Sequence, residues 1–157
     1  MKHIIAVFAL AVSAALLSAA AMAQLSTDDQ IKYRQSGYTF MAWNMGRIRA
    51  QVVDGDVPYD PGQVQAAADV VAAIANSGMS ALFGPGTDEG TGWKPTRLKS
   101  EFFDDLDKVG EIAGRFIEEA NRLQEVAATE DKSAIASQFS NLARACGSCH
   151  DNFRASE

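Results

Sequence analysis

The stretch that decides the fold is ACGSCHDNFR, residues 145–154, which ends three residues before the end of the chain. It contains both cysteines, Cys146 and Cys149, and one of the two histidines, His150. On a helix, steps of three and four residues place the two thiols and the imidazole on one face. Two thiols can add to the vinyl groups of a haem while the adjacent imidazole binds the iron. The stretch therefore predicts one covalent haem c per chain, held on the buried face of a helix.

Three other uses of the thiols compete with haem attachment. A disulfide suits an oxidising compartment, but a regular helix must distort to join Cys146 to Cys149. A thioredoxin-like dithiol lies at a helix N-terminus in a βαβ unit, whereas this pair is expected near a helix C-terminus. A zinc site needs a fourth ligand, and the chain offers no further cysteine for it. The spacing favours haem over all three.

Four amphipathic segments with apolar side chains at helical spacing cover most of the chain. In the first, Thr27 and Gln30 have the spacing of a capping box, and the helix ends before Pro58. The second begins at Asp60-Pro61, a capping residue followed by proline at the first helical position. It is expected to stop at residues 76–78, where Asn, Ser and Gly follow one another.

A long irregular stretch separates the second helix from the third. Residues 79–99 contain Gly84-Pro85-Gly86 and Gly90-Thr91-Gly92, which argue against regular structure there. The third helix is expected to start around Ser100, and the last helix follows residues 129–131. Four helices with one long loop predict an all-α fold, an antiparallel four-helix bundle with covalently bound haem.

The N-terminus has the pattern of a secretory signal peptide. A short basic head precedes an apolar run, and Ala21-Met22-Ala23 is an A-x-A cleavage site. We expect residues 1–23 to be removed on export, leaving one domain at residues 24–157, a periplasmic location and no membrane insertion. His150 is then the only histidine. Peroxidase chemistry needs a distal base, so we expect that the protein is not an enzyme.

The charge balance excludes one class of partner. The chain has 14 Lys and Arg residues against 20 Asp and Glu residues, a formal net charge of −6 at pH 7. Phosphate binding needs a basic patch, so nucleic acid is not expected as a partner.

The chain resembles the cytochromes c′, the class II c-type cytochromes. The matching pieces are KYRQSGYTFMAWNMG (32–46), PYDPGQV (58–64), LFGPGT (82–87) and CGSCHDNFR (146–154). The resemblance implies a homodimer with a five-coordinate, high-spin iron that binds nitric oxide and carbon monoxide, in nitric oxide binding or protection. It leaves the identity of any periplasmic redox partner open.

The resemblance also implies roles for individual residues. On one side of the haem, His150 is the axial iron ligand and Arg154 lies one turn beyond it. On the other side, Tyr38 of the first helix covers the open position of the iron. Further contacts at the haem periphery are Arg34, Gln35 and Thr91, the first two with the propionates.

Two methionines keep an alternative function open, that of a periplasmic electron-transfer cytochrome. A thioether of Met41 or Met45 as sixth ligand would give a low-spin iron with a raised potential. A high-spin carrier is a second form of this alternative. Core filling is the commoner fate of a helical methionine, which favours the gas binder.

Phe40 and Trp43 lie off the inner stripe of the first helix. Two interpretations are open: they are partly buried at a helix seam, or they form the patch through which two copies pair.

Overall fold

A computed structural model describes residues 25–156, and they form four α-helices. The helices are α1 (Thr27–Val52), α2 (Pro61–Ala75), α3 (Leu106–Ala127) and α4 (Lys132–Phe153). α1 contacts α2 and α4, and α3 contacts the same two helices, which closes a bundle. The prediction of an all-α, antiparallel four-helix bundle is confirmed.

The cap of the first helix lies one residue earlier than predicted, at Ser26. The Ser26 hydroxyl accepts a hydrogen bond from the amide of Asp29 (3.1 Å) and donates one to Oδ2 of Asp29 (2.7 Å). The predicted capping box at Thr27 and Gln30 is therefore wrong. Gln30 instead accepts a hydrogen bond from the amide of Gly84 (3.1 Å), a contact across the loop that local spacing could not reveal.

The second helix begins as predicted, and the third does not. Asp60 accepts a hydrogen bond from the amide of Gln63 (3.0 Å), with proline at the start of the helix. The third helix begins at Leu106, because Asp105 caps it, and not at Ser100. Residues Ser100–Phe102 form a separate 3₁₀ turn that buries the ring of Phe102.

The long loop is not wholly irregular either. Met79–Leu82 forms a second 3₁₀ turn, and isolated bridges pair Thr91 with Pro95 and Leu98 with Arg154. Glycine is required at one point where the loop meets α1: a Cβ on Gly92 would come within 2.6 Å of the backbone nitrogen of Lys32. The absence of a side chain lets the two backbones touch.

The aliphatic core lies toward one end of the bundle, where α1 and α3 finish and α2 and α4 begin. We call this the core end, and the opposite end, with the loop of residues 76–105, the loop end. Burial of one such aliphatic side chain contributes roughly 1.5–3 kcal/mol. The larger aliphatic side chains of this core that have no exposed surface are Ile48, Val64, Val71, Leu123, Ile135 and Leu142.

Within residues 25–156, no helix combines the length and the apolar character needed to cross a membrane. The predicted signal peptide, residues 1–23, and its cleavage site lie outside the described residues.

Candidate haem site

The end of α4 carries the Cys-x-x-Cys-His motif at the loop end of the bundle. The thiols of Cys146 and Cys149 are free and half-buried. Burial raises the pKa of both thiols, and for Cys146 the neighbouring Cys149 adds to the rise. His150 is exposed and lines a cleft of about 560 Å³ that also includes Arg154. The motif therefore combines two enclosed thiols with an accessible imidazole.

The helix end that carries His150 is held by the loop. The amide of Ala155 donates a hydrogen bond to the carbonyl of Arg97 (2.8 Å), and the amide of Lys99 donates one to the carbonyl of Phe153 (2.9 Å). The ammonium group of Lys99 also donates to two carbonyls of the last turn, at 3.2 and 3.3 Å. A cation at a helix C-terminus stabilises the carbonyls left unpaired there. These bonds restrict fraying near His150.

Two effects favour the neutral form of His150. Burial lowers the pKa of the imidazole, and the positive charge of Arg154 lowers it further, whereas Asp151 opposes the shift. The amide of Arg154 also donates a hydrogen bond to the carbonyl of His150 (3.0 Å). Neutral imidazole is the form that binds a metal, so this environment suits an axial ligand.

Tyr38 of α1 lies across the bundle from the two cysteines. Burial raises the pKa of its hydroxyl to about 12, and the thiols of Cys149 and Cys146 add to the rise. The side chain nevertheless keeps 41% of its surface exposed. Its ring meets the ring of Phe83 edge to face, with centroids 6.4 Å apart. Tyr38 and the cysteines thus face one another between α1 and α4.

Arg34, one turn before Tyr38, is buried and bound to the loop. Its guanidinium donates hydrogen bonds to the carbonyls of Leu82 (3.2 Å) and Thr87 (2.6 Å) and to the hydroxyl of Thr96 (2.7 Å). Burial lowers the pKa of Arg34, while Tyr38 counteracts that shift. A guanidinium in this position fixes the loop to α1 near Tyr38.

Gln35 has a similar contact with the loop. Its amide nitrogen donates to the carbonyl of Lys94 (2.9 Å), and its oxygen accepts from the amides of Trp93 (2.8 Å) and Lys94 (3.2 Å). The indole nitrogen of Trp93 donates to the hydroxyl of Ser36 (2.8 Å). Three consecutive residues of α1, Arg34 to Ser36, therefore attach the loop to the helix that carries Tyr38.

Comparison with known proteins decides the family. Residues 29–154 match the profile of cytochrome c′. The cytochrome c′ of Allochromatium vinosum is 50% identical over 156 residues, which cover 99% of each chain. The chain belongs to the cytochrome c′ family.

Solved structures of the cytochrome c′ family have the same fold. One, described as a cytochrome c′ with an unusual ligand-controlled dimer dissociation, has a TM-score of 0.80 at 51% identity, covering 85% of this chain and 100% of the other. A variant of the cytochrome c′ of Alcaligenes xylosoxidans, solved as its nitric oxide complex, has a TM-score of 0.75 at 29% identity, covering 85% and 99%.

Members of the cytochrome c′ family bind covalent haem c, and this chain has two cysteines for its attachment. The donor set fits that group. Cys146 and Cys149 lie on the inner side of α4, His150 follows them directly, and Tyr38 lies across the bundle from the two thiols. Two thiols and an imidazole are the parts that such a haem needs.

The peripheral residues expected from the cytochrome c′ resemblance have distinct surroundings. Arg34 and Gln35 bind the loop, and their contacts with propionates stay predictions. Thr91 is exposed, and its amide donates a hydrogen bond to the carboxylate of Asp28 (3.0 Å). Its contact with the haem edge also stays a prediction.

The methionines of α1 belong to the hydrophobic core. Met41 is 5% exposed and clusters with Ile48 and Val71, and Met45 packs against the same cluster. A thioether packed among aliphatic side chains fills space, which is the commoner role of methionine in proteins.

Sequence reasoning missed the residues that join the loop to α1 and α4. It assigns no role to Phe83 or Thr96, although LFGPGT (82–87) is a matching piece, and it predicts Phe102 on the apolar stripe of the third helix, whereas Phe102 lies in the 3₁₀ turn before that helix. Phe83 stacks on Phe102 with centroids 5.0 Å apart, and Thr96 accepts a hydrogen bond from Arg34. These residues do not recur at a helical or strand spacing, so only the match to the family could have identified them.

Proposed function

We propose that the mature chain is a periplasmic c-type haem protein that binds carbon monoxide and nitric oxide at an open axial position of a five-coordinate iron, with nitric oxide binding or protection as its role. One observation carries the proposal. Tyr38 faces Cys146 and Cys149 across the bundle, whereas Met41 is buried in the aliphatic core. The side chain opposite the attachment site is therefore a tyrosine and not a methionine, and the raised pKa of its hydroxyl keeps it in the protonated form, which binds iron weakly.

In this proposal the proximal side holds the cofactor. Cys146 and Cys149 form the two thioether bonds, and His150, whose pKa is lowered, presents a neutral imidazole to the iron. Haem c, when bound, supplies an iron that takes a diatomic ligand and exchanges one electron. The bonds from the segment of residues 97–99 keep the helix end, and with it His150, in place.

The distal side selects among ligands by size and by binding strength. A gas molecule can reach the iron only after the ring of Tyr38 moves aside. Carbon monoxide and nitric oxide bind ferrous haem strongly enough to bear that steric cost. We expect dioxygen, which binds less strongly, to be discriminated against.

The test is the rate of carbon monoxide association with the ferrous protein. Tyr38→Ala should raise this rate, because the ring no longer obstructs the iron. Tyr33→Ala, at an exposed position of the same helix, is the matched control and should leave the rate unchanged. An unchanged rate in Tyr38→Ala removes Tyr38 from the distal role.

The visible spectrum separates the gas binder from an electron carrier with a methionine ligand. The proposal requires a high-spin ferric spectrum without the charge-transfer band of a methionine–iron bond. A low-spin spectrum that Met41→Leu converts to a high-spin one would replace the proposal with the electron-transfer alternative.

Two exposed aromatic rings of α1 support a homodimer. Phe40 and Trp43 are 51% and 57% exposed, and their rings stack with centroids 5.6 Å apart. Arg47 lies over the ring of Trp43 at 4.9 Å. An exposed apolar patch of this kind is typical of an interface, and one relative is a dimer whose dissociation its ligand controls.

Sedimentation of two matched variants tests the dimer. Trp43→Ala should shift the protein toward the monomer, whereas Trp93→Ala, at a loop position that is 66% exposed, should not. A wild-type protein that sediments as a monomer at micromolar concentration overturns the dimer. Repeating the run under carbon monoxide tests whether this chain shares the ligand response of its relative.

A further inference from the structure

A row of aromatic rings connects Tyr38 with the end of α4. The ring of Tyr38 meets Phe83 edge to face at 6.4 Å, and Phe83 stacks on Phe102 at 5.0 Å. Phe102 in turn meets Phe153 edge to face at 5.5 Å. Phe102 and Phe153 are 7% and 4% exposed and Tyr38 is 41% exposed, so the row is buried at its inner end and reaches the surface at Tyr38.

Phe83 is the ring of this row that Arg34 of α1 covers. The guanidinium of Arg34 lies over its face, 4.7 Å from the ring centroid. The same guanidinium binds the carbonyls of Leu82 and Thr87, which lie on either side of Phe83 in the chain. Thr87 has no exposed surface, so the bond to its carbonyl is shielded from water and strengthened by the low local dielectric.

These contacts leave Tyr38 as the mobile partner of the pair. Tyr38 is 41% exposed, whereas Phe83 has its face covered by Arg34 and by Phe102. When the ring of Tyr38 moves to admit a ligand, it must give up its edge contact with Phe83. The strength of that contact then contributes to the barrier for ligand entry.

We propose that Phe83 is a positioning residue, which restrains Tyr38 in front of the open axial position and so sets the rate of gas binding. The inference rests on the proposed function, in which Tyr38 is the distal cover. Edge-to-face pairs at centroid distances of 4.5–7 Å stabilise by an amount that corresponds to roughly a two- to tenfold change in rate. Phe83 acts through Tyr38 and not by contact with the ligand.

Carbon monoxide association with four variants of the haem-loaded protein tests the inference. Phe83→Ala should raise the association rate roughly two- to tenfold. Phe83→Tyr keeps the ring and should keep the rate close to that of the wild type. Phe103→Ala removes a ring that touches Phe102 at 5.3 Å, one place outside the row, and is the matched control. Phe83→Leu keeps apolar bulk and replaces Phe83→Ala if the latter loses haem.

The double variant Tyr38→Ala/Phe83→Ala shows whether Phe83 acts through Tyr38. If it does, Phe83→Ala has no further effect once Tyr38 is alanine. An equal rise in both backgrounds means that Phe83 obstructs the ligand by itself, which overturns the inference. If Tyr38→Ala alone leaves the rate unchanged, the distal role of Tyr38 has failed, and this outcome is visible without any change at Phe83.

A second readout does not depend on gas binding. In protein labelled with fluorotyrosine, the fluorine NMR signal of Tyr38 is assigned by its loss in Tyr38→Phe. Phe83→Ala should shift or broaden this signal, while the signals of Tyr33 and Tyr59 stay in place. An unchanged Tyr38 signal in Phe83→Ala shows that the ring was not restrained by Phe83 and overturns the inference.

Discussion

The two ends of the bundle use the same helices in different ways. In α3, the buried residues Ala120, Leu123 and Ala127 all lie toward the core end, whereas Leu106 at the loop end is 61% exposed. In α4, Ile135 and Leu142 are fully buried. Toward the loop end the stripe of α3 becomes exposed, whereas in α4 the buried Phe153 packs against Phe102 of the loop.

At the loop end, the inner faces of the helices meet the loop and the cofactor site. α1 presents Arg34 to Ser36 to the loop and Tyr38 to the cysteines, and α4 presents two thiols and His150. One helical period therefore serves two purposes. Helix–helix packing holds the fold at the core end, and polar clamps and haem attachment order the loop end.

Removal of the haem attachment should break the loop end alone. The double variant Cys146→Ser/Cys149→Ser should lose covalent haem completely, as measured by haem staining after denaturing electrophoresis. Amide hydrogen exchange should quicken in residues 82–116 and change little near Leu123, because the aliphatic core does not depend on the cofactor. Ser148→Ala is the control within the motif. An equal loss of protection from amide exchange at both ends would contradict the division of the bundle into a core end and a loop end.

A cavity at the core end should cost stability without affecting the site. Leu123 has no exposed surface, so Leu123→Ala should lower the free energy of unfolding by about 2–5 kcal/mol in a urea titration. Leu106→Ala, in the same helix but 61% exposed, should change it by less than about 0.5 kcal/mol. Similar losses in the two variants would mean that both ends of α3 are equally well packed.

Loss of the Arg34 clamp should have a smaller effect, confined to the loop end. Arg34→Met leaves the carbonyls of Leu82 and Thr87 without this donor and should cost about 1–3 kcal/mol of unfolding free energy. Arg49→Met removes an exposed ion pair with Asp54 and should cost less than about 1 kcal/mol. If both arginine variants lower the free energy of unfolding by the same amount, the hydrogen bonds from Arg34 to Leu82 and Thr87 do not stabilise the loop end.

The smallest effect is the dependence on alkaline pH. The folded state raises the pKa of Tyr38 from 10.0 to about 12, so it holds the phenolic proton more tightly than the unfolded state. The stability from this group is present below pH 10 and is lost as the pH rises to about 12. Between pH 10 and about pH 12, denaturant titrations should show a smaller loss of unfolding free energy in Tyr38→Phe than in the wild type. Tyr33→Phe keeps Tyr38 and should retain the wild-type loss.

Local sequence patterns predicted the structure well where the prediction depends on neighbouring residues within one helix. The start of α2 at Asp60-Pro61 and the bundle fold followed from capping and from the helical period. The start of α3 and the cap of α1 did not follow from local patterns, because in each case another residue near the predicted one has a side chain that can cap the helix. Asp105 caps α3, and Ser26 takes the place predicted for Thr27.

The sequence by itself determined the haem motif, the all-α class and the family, because these depend on residue identity and on spacing within one helix. Only the tertiary structure placed Phe83 against Tyr38, joined Arg34 to Leu82 and Thr87, and assigned Met41 to the core. These contacts join residues far apart in the chain. Their geometry depends on how the loop closes over α1, and no periodic pattern in the sequence encodes that closure.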